Sequence, residues 1–281
     1  MSSEKEGVRH TADVPSITPG PSRATLRTSD GVRIEAVHSP CETRGTVRTA
    51  QGVHTASVPD TAVVVAHGFT GSVDRPAVRR AARAFARRAG VVTFSFRGHG
   101  GSGGRSTVGD REVLDLAAAV RWARELGYAR VATVGFSMGG SVVLRHAALA
   151  KDDPGARTDA VVAVSAPARW YYRGTPAMRR VHWMITRPAG RLVGRYGLRT
   201  RIHDRDWDPV PMSPVEAVPL IAPVPLLIVH GDSDPYFPVD HPRSLAAAGP
   251  AELWLERGMG HAENAADDAL LARIADWLSV P

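Results

Sequence analysis

The sequence has little cysteine and almost no lysine. Cys41 is the only cysteine among 281 residues, which excludes an intrachain disulfide and a cysteine-rich metal site. This composition fits a reducing compartment, so we expect a cytoplasmic protein. Lys5 and Lys151 are the only lysines among 35 basic side chains, and arginine therefore carries nearly all of the net charge of +7. Genome codon bias and selection for a partner both stay open as explanations. We expect no nucleic-acid partner.

Long apolar runs are missing as well. None approaches membrane-spanning length, so no transmembrane segment is expected. Residues 1–21 mix charge, proline and glycine without an apolar core, and we predict a disordered leader rather than a secretion signal or membrane anchor. The rest of the chain has the size of one large α/β domain, or of a core with an inserted subdomain.

Apolar runs alternate with helical patterns along most of the chain. An antiparallel hairpin is predicted around Asp30 and Gly31, a frequent two-residue turn. Residues 39–60 are polar and predict a surface excursion. The later alternation predicts a doubly wound, mostly parallel α/β sheet that is covered by helices on both faces. Its predicted strands lie at residues 61–66, 91–96, 130–134, 160–165, 225–229 and 251–255.

Residues 168–218 interrupt this alternation and are rich in Arg, Trp, Tyr and Pro. We predict that they form a helical lid inserted over the carboxyl edge of the sheet, which divides the core into residues 22–167 and 219–281. Pro188 should break a helix near Arg187, so two short helices are expected. The first would carry one shared face that consists of Met178, Val181, His182 and Ile185.

Ser137 lies at the centre of the most informative stretch, GFSMG at 135–139. A strand-like run precedes it and a helix-like run follows it. On such a tight, strained turn, side chains at positions 135 and 139 would collide with the adjoining strand and helix. The helix beginning near Met138 would point its unpaired N–H groups at anything bonded to Ser137. In a chain with 27 glycines the motif can arise by chance, but its context favours a nucleophile.

A serine nucleophile needs a base, normally histidine, and a carboxylate that orients the base. His261 follows the last predicted strand. The strand before it ends in HGDSD at 230–234, where Asp232 and Asp234 compete for the role of the acid. The chain therefore supplies the three groups in the order Ser, Asp, His.

Five motifs in this order resemble those of the α/β-hydrolase family, and the resemblance covers about residues 24–278. It implies the α/β-hydrolase fold with Ser137 as the nucleophile, Asp234 as the acid and His261 as the base. The backbone N–H groups of Phe69 and Met138 are implied as the oxyanion hole. The motifs are HGF at 67–69, RGHGGS at 97–102, GFSMGG at 135–140, HGDSD at 230–234 and GMGH at 258–261.

The resemblance implies a serine hydrolase that cleaves an ester or related acyl bond through an acyl-serine intermediate. A peptidase, thioesterase or C–C hydrolase would keep the same three residues, and a hydrolase-like binding protein with little turnover is a further alternative. Neither a cofactor nor a metal is expected. The glycines at 98–103 match a dinucleotide fingerprint only formally, since no helix begins at the third glycine. One departure from the family is Ser95, where many relatives carry Asp, which leaves the structure around Arg97 open.

The expected partner is a small-molecule acyl substrate. Residues 169–205 contain ten arginines against Asp204 alone, interleaved with tryptophan and tyrosine. One hypothesis is an anionic or interfacial substrate that these arginines attract. The alternative is a solvated basic surface that results from codon bias.

Overall fold

The structure is a computed structural model of the chain. It describes residues 20–42, 46–49, 52–55 and 60–279. The leader predicted at residues 1–21 lies outside this part of the chain except for its last two residues. Within the described part, no helix has both the length and the apolar composition needed to cross a bilayer.

A mixed sheet of eight strands forms the centre of the fold, and it confirms the predicted class. The two strands of the predicted hairpin pair antiparallel at one edge, and the six others run parallel to one another. In chain order the strands are β1 Ser22–Arg27, β2 Arg33–Ser39, β5 Thr61–Ala66, β6 Gly90–Phe94, β7 Arg130–Phe136, β8 Ala160–Val164, β9 Leu226–Gly231 and β10 Glu252–Glu256. Between β2 and β5, within the predicted excursion, β3 Thr46–Thr49 and β4 Gly52–Thr55 form a separate two-stranded sheet.

Helices cover both faces of the sheet, which explains why its central strands read as continuous apolar runs. On one face α2 (Glu112–Glu125) and α3 (Met138–Leu149) pack over Phe94, and α3 contributes Leu144 to the core. On the other face α1 (Pro76–Ala86) contributes Phe85 and α9 (Asp268–Leu278) contributes Leu271. The helices are α1 Pro76–Ala86, α2 Glu112–Glu125, α3 Met138–Leu149, α4 Pro176–Thr186, α5 Pro188–Gly197, α6 Pro214–Ala217, α7 Asp240–Ala247, α8 Ala262–Ala265 and α9 Asp268–Leu278, with a 3-10 turn at Val218–Leu220.

The segment at 168–218 contains α4 and α5, and the break predicted at Pro188 is present where α5 begins. Two isolated bridges connect the stretch after α5 to the loop after β6, where His99 pairs with Thr200 and Ser106 with Ile202. The α4 helix has no buried residue. Its apolar face is therefore directed at a cavity rather than at the core.

Candidate active site

Ser137 occupies the turn between β7 and α3 in a strained conformation, with φ 52° and ψ −114°. A Cβ atom added to Gly135 would lie 2.1 Å from the Gly139 carbonyl oxygen, and one added to Gly139 would lie 2.2 Å from the Ala66 carbonyl oxygen. Both contacts are far too short for real atoms. The predicted collisions at positions 135 and 139 are thus confirmed, and they explain why both positions are glycine.

Three predicted site residues lie in one hydrogen-bonded series. His261 Nε2 lies 2.8 Å from Ser137 Oγ, and His261 Nδ1 lies 2.7 Å from Asp234 Oδ2. These residues follow β10, β7 and β9, whose carboxyl ends meet at one edge of the sheet. The ring of His261 is packed against Tyr236, with ring centroids 4.3 Å apart.

The two competing carboxylates have different contacts. Asp234 has a fully buried side chain, and its Oδ1 accepts hydrogen bonds from the backbone N–H groups of Tyr236 and Phe237. Burial by itself would raise the pKa of Asp234, but these bonds and the one to His261 hold it below its ordinary value. Asp232 instead accepts from the Gly258 N–H at 2.7 Å and thereby braces the turn after β10. Of the two carboxylates, Asp234 is the one that bonds to His261.

The backbone N–H groups of Phe69 and Met138 belong to residues that line the same cavity as Ser137. Within the described part of the chain, neither N–H donates a hydrogen bond to another residue. Met138 is the first residue of α3, where N–H groups lack intrahelical acceptors. Both groups are thus free to donate to a bound oxygen.

His67, which precedes this loop, is buried and bonds only to backbone. Phe96 N–H donates to its Nε2, so Nδ1 carries the proton and donates to the Gly68 carbonyl. Burial lowers the pKa of His67 to about 3, which keeps the ring neutral. These contacts agree with a structural role in the turn.

The structure around Arg97 is ordered despite the departure at Ser95. Arg97 donates to Asp115 from Nε and Nη2, and to Asp30 from both terminal nitrogens. Ser95 Oγ donates to Glu35 at 2.6 Å. Carboxylates on other elements therefore hold the loop after β6.

Several of the glycines at 98–103 are packed against other segments of the chain. A Cβ on Gly98 would meet backbone atoms of Arg201 and Ser106 at 2.4 Å, and one on Gly100 would meet the Glu35 carboxylate. Close packing against the protein's own chain thus accounts for glycine at positions 98 and 100. In the described residues, no three His, Cys, Asp or Glu side chains form a group that could hold a metal ion.

A cavity of about 1330 Å³ lies between the sheet edge and the segment at 168–218. The predicted face of α4 lines it through Met178, Val181, His182 and Ile185. Only three of the ten segment arginines reach it, namely Arg169, Arg173 and Arg205. Over the whole lining, six arginines face five carboxylates, so the basic excess of the segment is not carried into the cavity. Those groups are Arg97, Arg105, Arg111, Arg169, Arg173 and Arg205, and Asp30, Asp110, Asp206, Asp208 and Glu263.

Glu263 is a further residue of this site that the sequence motifs did not identify. Its Oε1 accepts a hydrogen bond from Gly68 N–H at 3.0 Å, next to Ser137. The available signal was its place two residues after His261, in GHAEN at 260–264.

Comparison with known proteins gives the following likenesses. A family model described as alpha/beta hydrolase fold matches residues 61–186. The esterase Pf2001 from Pyrococcus furiosus is 22% identical, with a TM-score of 0.67 and 92% of each chain covered. An alpha-beta serine hydrolase homologue from Coxiella burnetii is 18% identical, with a TM-score of 0.59 and coverage of 94% of this chain and 98% of that one.

Est1E from Butyrivibrio proteoclasticus, solved with ferulic acid bound, is 18% identical, with a TM-score of 0.59 and coverage of 91% and 96%. No curated protein sequence matches the chain. At identities this low, the likeness to the solved structures is one of fold alone.

Proposed function

Because the chain has the α/β-hydrolase fold, we propose that it is a serine hydrolase that cleaves an ester or related acyl bond through an acyl-Ser137 intermediate. The observation that supports this most is the series of contacts from Asp234 through His261 to Ser137, at 2.7 and 2.8 Å. Such a series activates a hydroxyl group that is otherwise a weak nucleophile.

In the first half of the reaction, Ser137 Oγ attacks the carbonyl carbon while His261 Nε2 takes its proton. The imidazolium then gives that proton to the leaving oxygen, and the alcohol departs. In the second half, water replaces the alcohol, loses a proton to His261 and attacks the acyl carbon, which releases the acid and restores Ser137. Asp234 stays ionised throughout and stabilises the imidazolium.

The oxyanion of each tetrahedral intermediate would be bound by the N–H groups of Phe69 and Met138. Their role rests on their position in the cavity and on their lack of other acceptors in the described structure. A donor of this kind typically stabilises the transition state by about 3 kcal/mol. Ester bonds are the preferred class because several fold neighbours are described as esterases.

The segment at 168–218 serves, in this proposal, as a lid that shapes the substrate site. Apolar side chains on the outer side of α5, such as Leu192 and Tyr196, are 57% and 75% exposed, and Arg195 lies between them in the chain. This arrangement favours contact with an anionic interface over binding of an anion inside the cavity.

Hydrolysis of a short p-nitrophenyl ester tests the proposal. We expect Ser137→Ala to lower kcat/KM by about ten-thousandfold with the thermal midpoint unchanged, since one cavity-lining hydroxyl is removed. Ser244→Ala is a matched control on α7, outside the cavity lining. Hydrolysis by Ser137→Ala at the wild-type rate would refute the proposal.

A further inference from the structure

Glu263 places a buried carboxylate beside the candidate nucleophile. The residue is 7% exposed and lines the cavity. A Cβ built on Gly68 would lie 3.1 Å from both carboxylate oxygens of Glu263 and 3.4 Å from Ser137 Cβ. The carboxylate and Ser137 therefore flank the same small space beside Gly68.

Hydrogen bonds fix the backbone that carries this carboxylate. Arg80 Nη2 donates to the carbonyl oxygens of Glu263 and Ala266, at 2.7 Å each. The Ala262 N–H at the start of α8 donates to Ser165 Oγ at 3.1 Å. A group fixed in this way can recognise a ligand without first being ordered.

No cation of the described protein pairs with Glu263. No Lys, Arg or His nitrogen in that part of the chain lies within 4.0 Å of its carboxylate. Arg80 bonds to backbone carbonyls and lies 3.8 Å from Asp268, and neighbouring His67 is neutral. Glu263 Oε1 accepts from Gly68 N–H, whereas Oε2 accepts no hydrogen bond from the described residues.

A buried carboxylate without a counter-charge is costly, because a single N–H partner replaces only part of the water that it has lost. If ionised, it would also repel the negative oxygen that forms at the neighbouring N–H groups. Both penalties are removed when the missing cation arrives with the substrate.

We propose that Glu263 is a specificity-determining residue that binds a cationic group, of the ammonium class, located a few atoms from the scissile carbonyl of the substrate. The inference rests on the proposed function and names the substrate class for the same site. The ammonium group contacts Glu263 Oε2, while Oε1 keeps its bond to Gly68 N–H. Its positive charge then offsets the carboxylate during formation of the oxyanion.

Two p-nitrophenyl esters of equal shape test this inference. The acyl group of the first is γ-trimethylammoniobutyryl, and in the second ester a tert-butyl group replaces the trimethylammonium group. We expect the wild type to prefer the cationic ester by about tenfold or more in kcat/KM, the size of a charged contact. Glu263→Gln keeps an acceptor for Gly68 N–H without the charge and should abolish the preference. Glu125→Gln, an exposed site at the end of α2, is the matched control and should retain it.

A preference that is equal in the wild type and Glu263→Gln would overturn the inference. A result in which Glu263→Gln behaves as wild type, while Glu263→Ala loses hydrolysis of the cationic and the neutral ester equally, would also overturn it, because it would indicate a purely positioning role. Thermal midpoints exclude misfolding as the cause of a change. The neutral ester reports the proposed function separately, because its Ser137-dependent hydrolysis supports a serine hydrolase whatever the charge preference.

Discussion

The two walls of the cavity differ in how they are built. The sheet wall, which consists of Phe69, Ser137, His261 and Glu263, lies on turns that close packing and backbone bonds hold in place. The segment wall, residues 169–208, includes α4 without a buried residue and exposed rings such as Tyr171 at 55%. Chemistry that needs fixed geometry belongs on the first wall. The second can vary in sequence without disturbing the sheet and is suited to substrate selection.

The largest expected effect distinguishes the two candidate acids, Asp234 and Asp232. Asp234→Asn should lower kcat by about ten-thousandfold, because His261 loses the group that orients it, with little change in stability. Asp232→Asn should reduce stability by about 1 kcal/mol and activity only modestly, since it braces Gly258. Measuring kcat and the thermal midpoint of both variants checks this. A greater loss of kcat at Asp232 would mean that the acid is assigned incorrectly.

Two glycine substitutions test whether the two walls differ in their tolerance of an added side chain. Gly139→Ala should destabilise the fold by about 3 kcal/mol or more, because its Cβ would lie 2.2 Å from the Ala66 carbonyl oxygen. Gly197→Ala, at the end of α5, meets no atom within 4 Å and should be neutral or stabilise by about 0.5 kcal/mol. Urea unfolding measures both. Equal stability losses would contradict the proposed difference between the walls.

Acid should lower the free energy of unfolding through His146 on α3, the helix that follows Ser137. Burial lowers the pKa of His146 to about 4, and neither ring nitrogen has a hydrogen-bond partner among the residues that the structure describes. In the unfolded chain, His146 binds a proton below an ordinary pKa near 6.5, whereas in the folded chain it stays neutral down to about pH 4. The free energy of unfolding should therefore fall from about pH 6.5 toward pH 4, by about 1.4 kcal/mol per pH unit.

His146→Leu should flatten this pH dependence of the free energy of unfolding. His182→Leu on the segment wall is the comparison, and it should do so less because that ring is only half-buried. Denaturant unfolding at several pH values measures both slopes. An unchanged slope in His146→Leu would rule out this source of acid sensitivity.

The smallest expected effect concerns the arginines of the segment wall. If they attract anions, added salt should lower kcat/KM for an acidic ester by about twofold or more, and leave that for a neutral ester unchanged. Steady-state kinetics over a salt series checks this. Equal salt responses would favour a solvated basic surface without a steering role.

The sheet and its site motifs were predictable because their causes are local in the chain. Apolar runs identify strands that are covered on both faces, and the glycines around Ser137 reflect collisions with adjacent turns. The Glu263 contact to Gly68 joins residues 195 positions apart, and no periodicity encodes such a pairing. The sequence also did not predict helix α7. Its first residues, Asp240, His241 and Pro242, have weak helical propensity, and the helix is stabilised by the packing of Leu245 against the core.

Locating the adduct of a fluorophosphonate probe tests the central claim most directly, because the probe reacts only with an activated nucleophile. We predict one phosphonylated peptide in the wild type, modified at Ser137 and identified by mass spectrometry, and no adduct in Ser137→Ala. An adduct at another residue, or continued hydrolysis of the neutral ester after complete labelling of Ser137, would contradict the account.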